Sequence, residues 1–524
     1  MRRNTILLML LFFLAIEVQA QTRYVTPTGA GSLDGSSWAN AFPGTSLQTA
    51  IDAANVGDEV WVSAGTYYTT TTTNRNISFG MRNGVTIYGS FTGTETLLSE
   101  RVLTNGLTTI LSGEIGAAGI ADNSYKVVYN QQLDNTAIID GFIIENGNDD
   151  RSPTNNGNGL GGGMYNHGFN VGGNCHPTVR NILFRHNTAS WGAGAFNNAY
   201  GGGNTLPTYI NCVFTQNHAL IEAGGMDTYA VGGGTGSPTV INSIFYENTA
   251  ATNVGAMYAW GGDGGNCHPV LINCAFINNM ALNGYGGAFI ADNLDPGGGG
   301  TSSGACTVTL QNCIVWNNSA TGAAPQFYVR GTGAQVIATY SDIDMTGQSA
   351  PNVVSGAGTG NIDINPLFLD IASGAGVDGV WKTADDGLQL QNASPCIDVG
   401  DNAGVHSTDI LANTRIFNTT VDMGAYEFDS TTLSIVHNDP TLKLVLYPNP
   451  TNDIINLTFQ TQETETISLL LYDITGRLIK TIDKGQKATG IFNRRIDLSQ
   501  QESGIYFLRL QTKKGEFTHK IIRE

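Results

Sequence analysis

The chain has 524 residues, 67 of them glycine, and 25 lysines and arginines stand against 43 aspartates and glutamates, a net charge of −18. Glycine without a three-residue period excludes collagen, and the acid excess excludes a nucleic-acid binder, which needs cations to neutralise phosphate. Charged residues make up only 13%, so Asn, Thr, Ser and Gly carry the polar surface, a composition that suits an all-β extracellular protein better than a helical one.

The first element is "MRRNTILLMLLFFLAIEVQA", residues 1–20. Two arginines, an apolar run from Ile6 to Ile16 and a small-residue end at Ala20 read as a secretory signal peptide. The run is too short to anchor in a bilayer, and no other stretch could span as a helix. An exported protein is expected. Its charge is uneven: residues 21–443 hold 12 basic and 33 acidic side chains, and residues 444–524 hold 11 and 9. Neither Lys nor Arg occurs from His186 to Val329. Such a body argues against a receptor for polyanionic sugars, and its acidity serves solubility.

Next come "RYVTPTGAGSLDGSSWANAF", "LQTAIDAANVGDEVWVSAGTYY" and residues 84–116, "GVTIYGSFTGTETLLSERVLTNGLTTILSGEIG". They resemble the N-terminal cap and first rungs of large secreted β-helix proteins of Bacteroidetes-type bacteria. "NTAIIDGFIIENGND" (135–149) then places Asp140 and Asn146 at two bends.

From there a unit of about thirty residues recurs. An Asn stands at 181, 211, 242, 273 and 312, a second at 187, 217, 248, 279 and 318, and an Ala at 189, 219, 250, 281 and 320. Two residues before each first Asn stand Val179, Tyr209, Val240, Leu271 and Leu310; three after stand Phe184, Phe214, Phe245, Phe276 and Val315. Alternation of apolar and polar residues breaks at the Asn and resumes, as at a bend, because Asn tolerates the left-handed region. Each unit therefore reads as strand, Asn bend, strand, second Asn bend and short strand. One unit cannot bury its own apolar edge. Parallel coils stacked about 4.8 Å apart can, and buried Asn side chains in register can satisfy one another. The expected fold is all-β: a right-handed parallel β-helix (a solenoid), with a β-propeller as the second choice. A Gly-small-Met or Gly-small-Phe signature accompanies each unit, as in Gly162-Gly163-Met164 and Gly194-Ala195-Phe196. With the "FxxN" pattern it resembles the repeats of chlamydial-type polymorphic outer-membrane proteins over residues 160–320.

Between 338 and 428 stand "ATYSDID", "GNIDINPLFLD", "LQLQNASPCIDVGDN" and "VDMGAYEF". Their order resembles a C-terminal β-helix segment of choice-of-anchor type. Residues 431–443 read as a linker. Alternating apolar runs from 444, among them "LYPNPTNDIINLTF" and "GIYFLRLQTKKGEFTHKIIRE", predict a small antiparallel β-sandwich. Their wording resembles the type A sorting domain of the type IX secretion system. That resemblance implies export by the type IX machinery, removal of the domain, and attachment of the body to surface lipopolysaccharide. The expected domains are a signal peptide (1–20), a capped β-helix (21–330), a choice-of-anchor segment (331–430), a linker (431–443) and a sorting domain (444–524).

Candidate chemistry is sparse. Cys274 and Cys313 share an inward column and read as buried thiols. Cys267 and Cys306 are expected at a loop edge and form the better disulfide candidate in an oxidising compartment. Cleaving a glycosidic bond needs two carboxylates roughly 5–9 Å apart, for which Asp342 and Asp344 are weak candidates beside the adjacent pairs 149–150 and 385–386. A uronate lyase needs a basic side chain, and none occurs between Arg185 and Arg330. Asp378, Asp385 and Asp386, among glycines, could hold calcium or simply serve turns; no other cofactor is implied. Phe169, Tyr200, Tyr229 and Trp260 each precede a glycine-rich loop. Stacked rungs would set them in one stripe, either a contact surface for sugar rings or a seal over the core edge. The leading functional expectation is a noncatalytic adhesin or glycan-contacting protein of the cell surface. The alternatives are a polysaccharide-cleaving enzyme and a structural surface-layer component.

Overall fold

The computed structural model describes residues 20–429 and 444–523, apart from 156, 297–302, 323, 349–358, 448, 475 and 512–515. The signal segment 1–19 and the linker 431–443 lie outside the described residues. Two compact units divide the chain, one ending at Phe428 and the other starting at Asp429. Among the described residues no helix is long and apolar enough to cross a membrane.

The first unit is a parallel β-helix, right-handed as parallel crossovers are. Each coil contributes to four parallel sheets, not to the three strands expected from the repeat. The coil after Pro207 runs through Thr208–Ile210, Val213–Thr215, His218–Glu222 and Met226–Tyr229. The last of these begins in the Gly-small-Met signature, which is the start of a strand and not a loop. Registration is residue for residue: Tyr209 pairs with Val240, Phe214 with Phe245, Ala219 with Ala250 and Met226 with Met257.

The columns read from sequence fill the core. Val179, Tyr209, Val240, Leu271 and Leu310 are fully buried. Phe184, Phe214, Phe245 and Phe276 stack with centroids 4.5, 4.6 and 4.5 Å apart and planes within 9° of parallel. The first Asn of each unit holds φ between +48° and +55°, the bend anticipated. The second bend falls one residue earlier than expected, at His186, Gln216, Glu247, Asn278 and Asn317, whose φ lies between +53° and +58°. This frees the second Asn to turn inward. There Asn187, Asn217, Asn248, Asn279 and Asn318 form a side-chain ladder with Nδ2–Oδ1 distances of 2.9–3.0 Å. Upstream, Asn146 is left-handed as expected, and Gly141 takes the bend assigned to Asp140.

A short helix, Leu47–Asp52, lays Leu47, Ala50 and Ile51 over the N-terminal end of the core. At the other end, parallel coils continue past 330 to Asp342–Ile343. The segment from 360 to 428 then packs against the outer face of the second sheet, where Leu183, Val213, Ile244 and Ile314 meet Trp381, Leu388, Met423 and Tyr426. The bend asparagines double as its docking track. Asn242 donates to Thr408 O at 2.6 Å, Asn312 to Asp401 O at 2.8 Å and Asn273 to Asp422 O at 2.9 Å. Asn181 Oδ1 accepts from the buried Lys382 Nζ at 2.6 Å. The 331–430 segment is thus continuous with the β-helix.

The second unit is an antiparallel sheet of Leu444–Tyr447, Ile454–Asp473, Leu478–Asp497, Gly504–Gln511 and Glu516–Arg523. Register shifts bend its two twenty-residue strands, so Ile455 and Leu457 from one half share a core with Leu469, Leu508 and Ile521.

Candidate functional site

The fourth sheet alternates strictly. Met164 and Asn166 point into the core while Tyr165 and His167 point out, because successive strand residues face opposite sides. Two outward columns follow from the register. One runs Tyr129, Tyr165, Phe196, Asp227, Tyr258, Ile290 and Tyr328. The other runs His167, Asn198, Tyr229, Trp260, Asp292 and Arg330.

The four aromatics singled out in the sequence lie together on this face. Phe169 stacks on Tyr200 at 5.7 Å, Tyr200 on Tyr229 at 5.9 Å, and Tyr229 meets Trp260 edge-on at 5.0 Å. They are not one column. Tyr229 and Trp260 are strand partners, while Phe169 and Tyr200 lie two residues further along their coils, so the stripe steps sideways once. Phe169, Tyr200 and Tyr229 turn their broad faces to one another, and Trp260 stands across Tyr229 at 81°. Tyr229 is 6% exposed, and the other three are half-buried. Trp260 Nε1 donates to Leu294 O at 2.7 Å.

Beside the stripe lies a cluster that the sequence reading missed. Glu222 and Asp227 come from neighbouring strands of one coil, and Asp292 from the coil two further on. Burial raises the pKa of all three, and Glu222 pushes Asp227 further up. Tyr258 donates to Asp292 Oδ2 at 2.6 Å, and Arg330 pairs with the same oxygen at 2.7 Å. Asn253 donates to Glu222 Oε1 at 2.8 Å. Asp227 Oδ1 and Trp191 Nε1 are buried without a hydrogen-bond partner among the described residues. Burial thus favours the neutral form of Asp227, while Asp292, two coils further on, is engaged by a cation and a phenol. No sequence-adjacent pair announces it. The one available signal was a carboxylate standing where neighbouring rungs carry Phe196 and Tyr258.

The other candidates fare differently. Asp342 is sealed beneath the 360–428 segment, where it accepts from Ile364 N at 3.2 Å and from Cys396 Sγ at 3.1 Å; burial pushes it up to about 7. Asp344 accepts from Thr346 N and Gln326 Nε2. Asp342 thus lies in a packed interface, and Asp344 is half-buried beside it. Asp385 accepts from Val377 N, Asp378 N and Thr383 Oγ1. Asp386 accepts from Lys382 N and the Tyr426 hydroxyl, and Asp378 from Val380 N. These three carboxylates brace turns and a buried tyrosine, and among the described residues no group of three or more His, Cys, Asp or Glu converges as metal ligands. Cys267 and Cys306 are strand partners inside the apolar core, not at a loop edge. All seven cysteines are buried free thiols.

Residues 445–524 match the family described as the secretion system C-terminal sorting domain. The second unit is therefore a type IX sorting domain, and the protein is secreted to the cell surface. No curated protein matches the chain. Among solved structures, pectate lyase Pel9A is similar, with 14% identity over 78% of this chain and 96% of that one, at a TM-score of 0.37. At that score nothing about activity follows from the likeness.

Proposed function

We propose that the secreted body is a noncatalytic glycan-contacting adhesin, held at the outer surface through lipopolysaccharide once the sorting domain has been removed. The observation that carries this reading is the aromatic stripe Phe169–Tyr200–Tyr229–Trp260, which runs across the coils beside the fourth sheet with three of its rings half-buried. Half-buried aromatic rings pack against the C–H faces of sugars without desolvating charge. A glycan array probed with the secreted protein, run beside a reducing-sugar release assay, tests it. Binding without released ends is expected; release of new ends would overturn the noncatalytic reading.

One observation favours polysaccharide cleavage as the second reading: Asp227 and Asp292 are held in different environments, as acid and base partners need to be. Both are almost fully buried. If cleavage is detected, Asp227→Asn should abolish it.

A further inference from the structure

A cleft of about 500 Å³ opens where the stripe begins, and its cations outnumber the two aspartates, Asp149 and Asp150, that pair with them. Arg75, Lys126 and Arg151 line it, and no acidic side chain does. These cations come from three segments distant in sequence, which is why no basic motif appears in the chain. Their placement is fixed. The Tyr125 ring lies between two guanidinium groups, with Arg75 Cζ 4.2 Å and Arg151 Cζ 3.7 Å from its centroid. A ring quadrupole between two cations holds together charges that would otherwise repel.

Each guanidinium is anchored on one side only. Arg75 donates from Nε to Asn123 O at 2.7 Å and from Nη2 to Asn148 O at 2.8 Å and Asp150 at 3.0 Å. Arg151 donates from Nε and Nη2 to Asp149 at 2.7 and 2.8 Å. Nη1 of each arginine has no acceptor among the described residues. Beneath them Lys126 is buried, bound to Asp149 at 2.5 Å, to Gly157 O at 2.8 Å and to Leu160 O. Two half-exposed forks with a free donor apiece make a preorganised anion site.

The cleft also joins the stripe. Tyr129 on its wall stacks on Tyr165 at 5.6 Å, Tyr165 meets His167 at 5.5 Å, and His167 meets Phe169 at 5.6 Å. Its volume suits one or two sugar rings by comparison with ligand pockets generally.

We propose that this cleft takes a single anionic sugar residue, carboxylated or sulfated, with its acid group against Nη1 of Arg75 and Arg151 and its ring beside Tyr129. The choice of a sugar rests on the glycan-contact reading; the choice of an anion rests on the cleft alone. The acidic body beyond it repels a long polyanion, so the charged residue is a terminal or isolated one on a largely neutral glycan.

The test uses the full secreted protein and three monosaccharide probes: methyl glucuronide, galactose 6-sulfate and methyl glucoside. Saturation-transfer NMR should show one or both acidic probes bound and the neutral one free; which acidic probe binds separates carboxylate from sulfate. Arg75→Gln with Arg151→Gln should weaken acid binding at least tenfold. If that variant melts early, Asn158→Trp decides, since it plugs the rim without touching an ion pair. Failure of both acidic probes, equal binding of the neutral one, or full binding by the plugged variant would overturn the assignment. A Phe169→Leu, Tyr200→Leu variant should still bind the acidic monosaccharide, so loss of the stripe and loss of the cleft are read separately.

Discussion

Asn217 donates from Nδ2 to Oδ1 of Asn248 at 2.9 Å, and its backbone amide donates to the same oxygen at 3.2 Å. Nδ2 of Asn248 then donates to Phe214 O at 2.8 Å and to Asn279 Oδ1 at 2.9 Å. The Asn248 side chain therefore ties the rung before it to the rung after it, in a place that solvent does not reach.

Asn248→Ala leaves the Asn217 backbone amide without its partner and takes one hydrogen bond each from Asn217 Nδ2, Phe214 O and Asn279 Oδ1. At about 1–3 kcal/mol for each buried polar group left unmade, the cost is several kcal/mol. Calorimetry should show the body melting well below wild type. Serine at the exposed Asn283, which lies outside the ladder, should leave melting unchanged.

Stability should fall as pH rises from 5 to 8. Burial pushes Asp342, Asp386 and Glu427 up to about 7 and Asp422 up to about 6, against about 4 in the unfolded chain. The native state thus binds these protons more tightly. The stabilisation is full below about 4 and is lost as pH climbs through the folded values. Lys126 and Lys382, pulled down to about 8 by burial, titrate above this window. Asp227→Asn removes one such proton demand, so it should raise the melting temperature at pH 8 and flatten the slope. A melting temperature that is level or rising between pH 5 and 8 would contradict this account.

The coils were legible because each core column repeats in register: Phe184, Phe214, Phe245 and Phe276 announce a stack before any coordinate is known. The second bend was misplaced by one residue because His186, Gln216 and Glu247 share no chemistry, whereas the asparagines beside them do. Backbone geometry, not side-chain identity, selects the bend there. The acid cluster and the cationic cleft were not legible, since Asp227 and Asp292 lie two coils apart and Arg75, Lys126 and Arg151 lie on separate segments. Packing of residues 360–428 was hidden for a related reason. It is not a repeat, and its partners are scattered along the asparagine column.

The thiols should resist alkylation in the native protein. Burial pushes Cys175 and Cys212 up to about 12, and a thiol without solvent or thiolate character does not react. Mass mapping should find all seven labelled only after denaturation. A linked peptide joining Cys267 to Cys306 under non-reducing digestion would show instead that this pair oxidises.

Deleting residues 520–524 removes Ile521 from the core of the sorting domain and breaks the strand Glu516–Arg523. The truncated protein should accumulate in the periplasm. Normal surface display would contradict the role of that terminal strand.

The glycan-contact reading meets its most direct test in the Phe169→Leu, Tyr200→Leu variant, which keeps apolar cover while removing two aromatic rings. Its affinity for the glycan that the wild type selects is measured by calorimetry beside its melting temperature. The account predicts a loss of at least tenfold, about 1.4 kcal/mol, with melting within a few degrees of wild type. Unchanged affinity in a folded variant would contradict it and leave the stripe as a seal on the core.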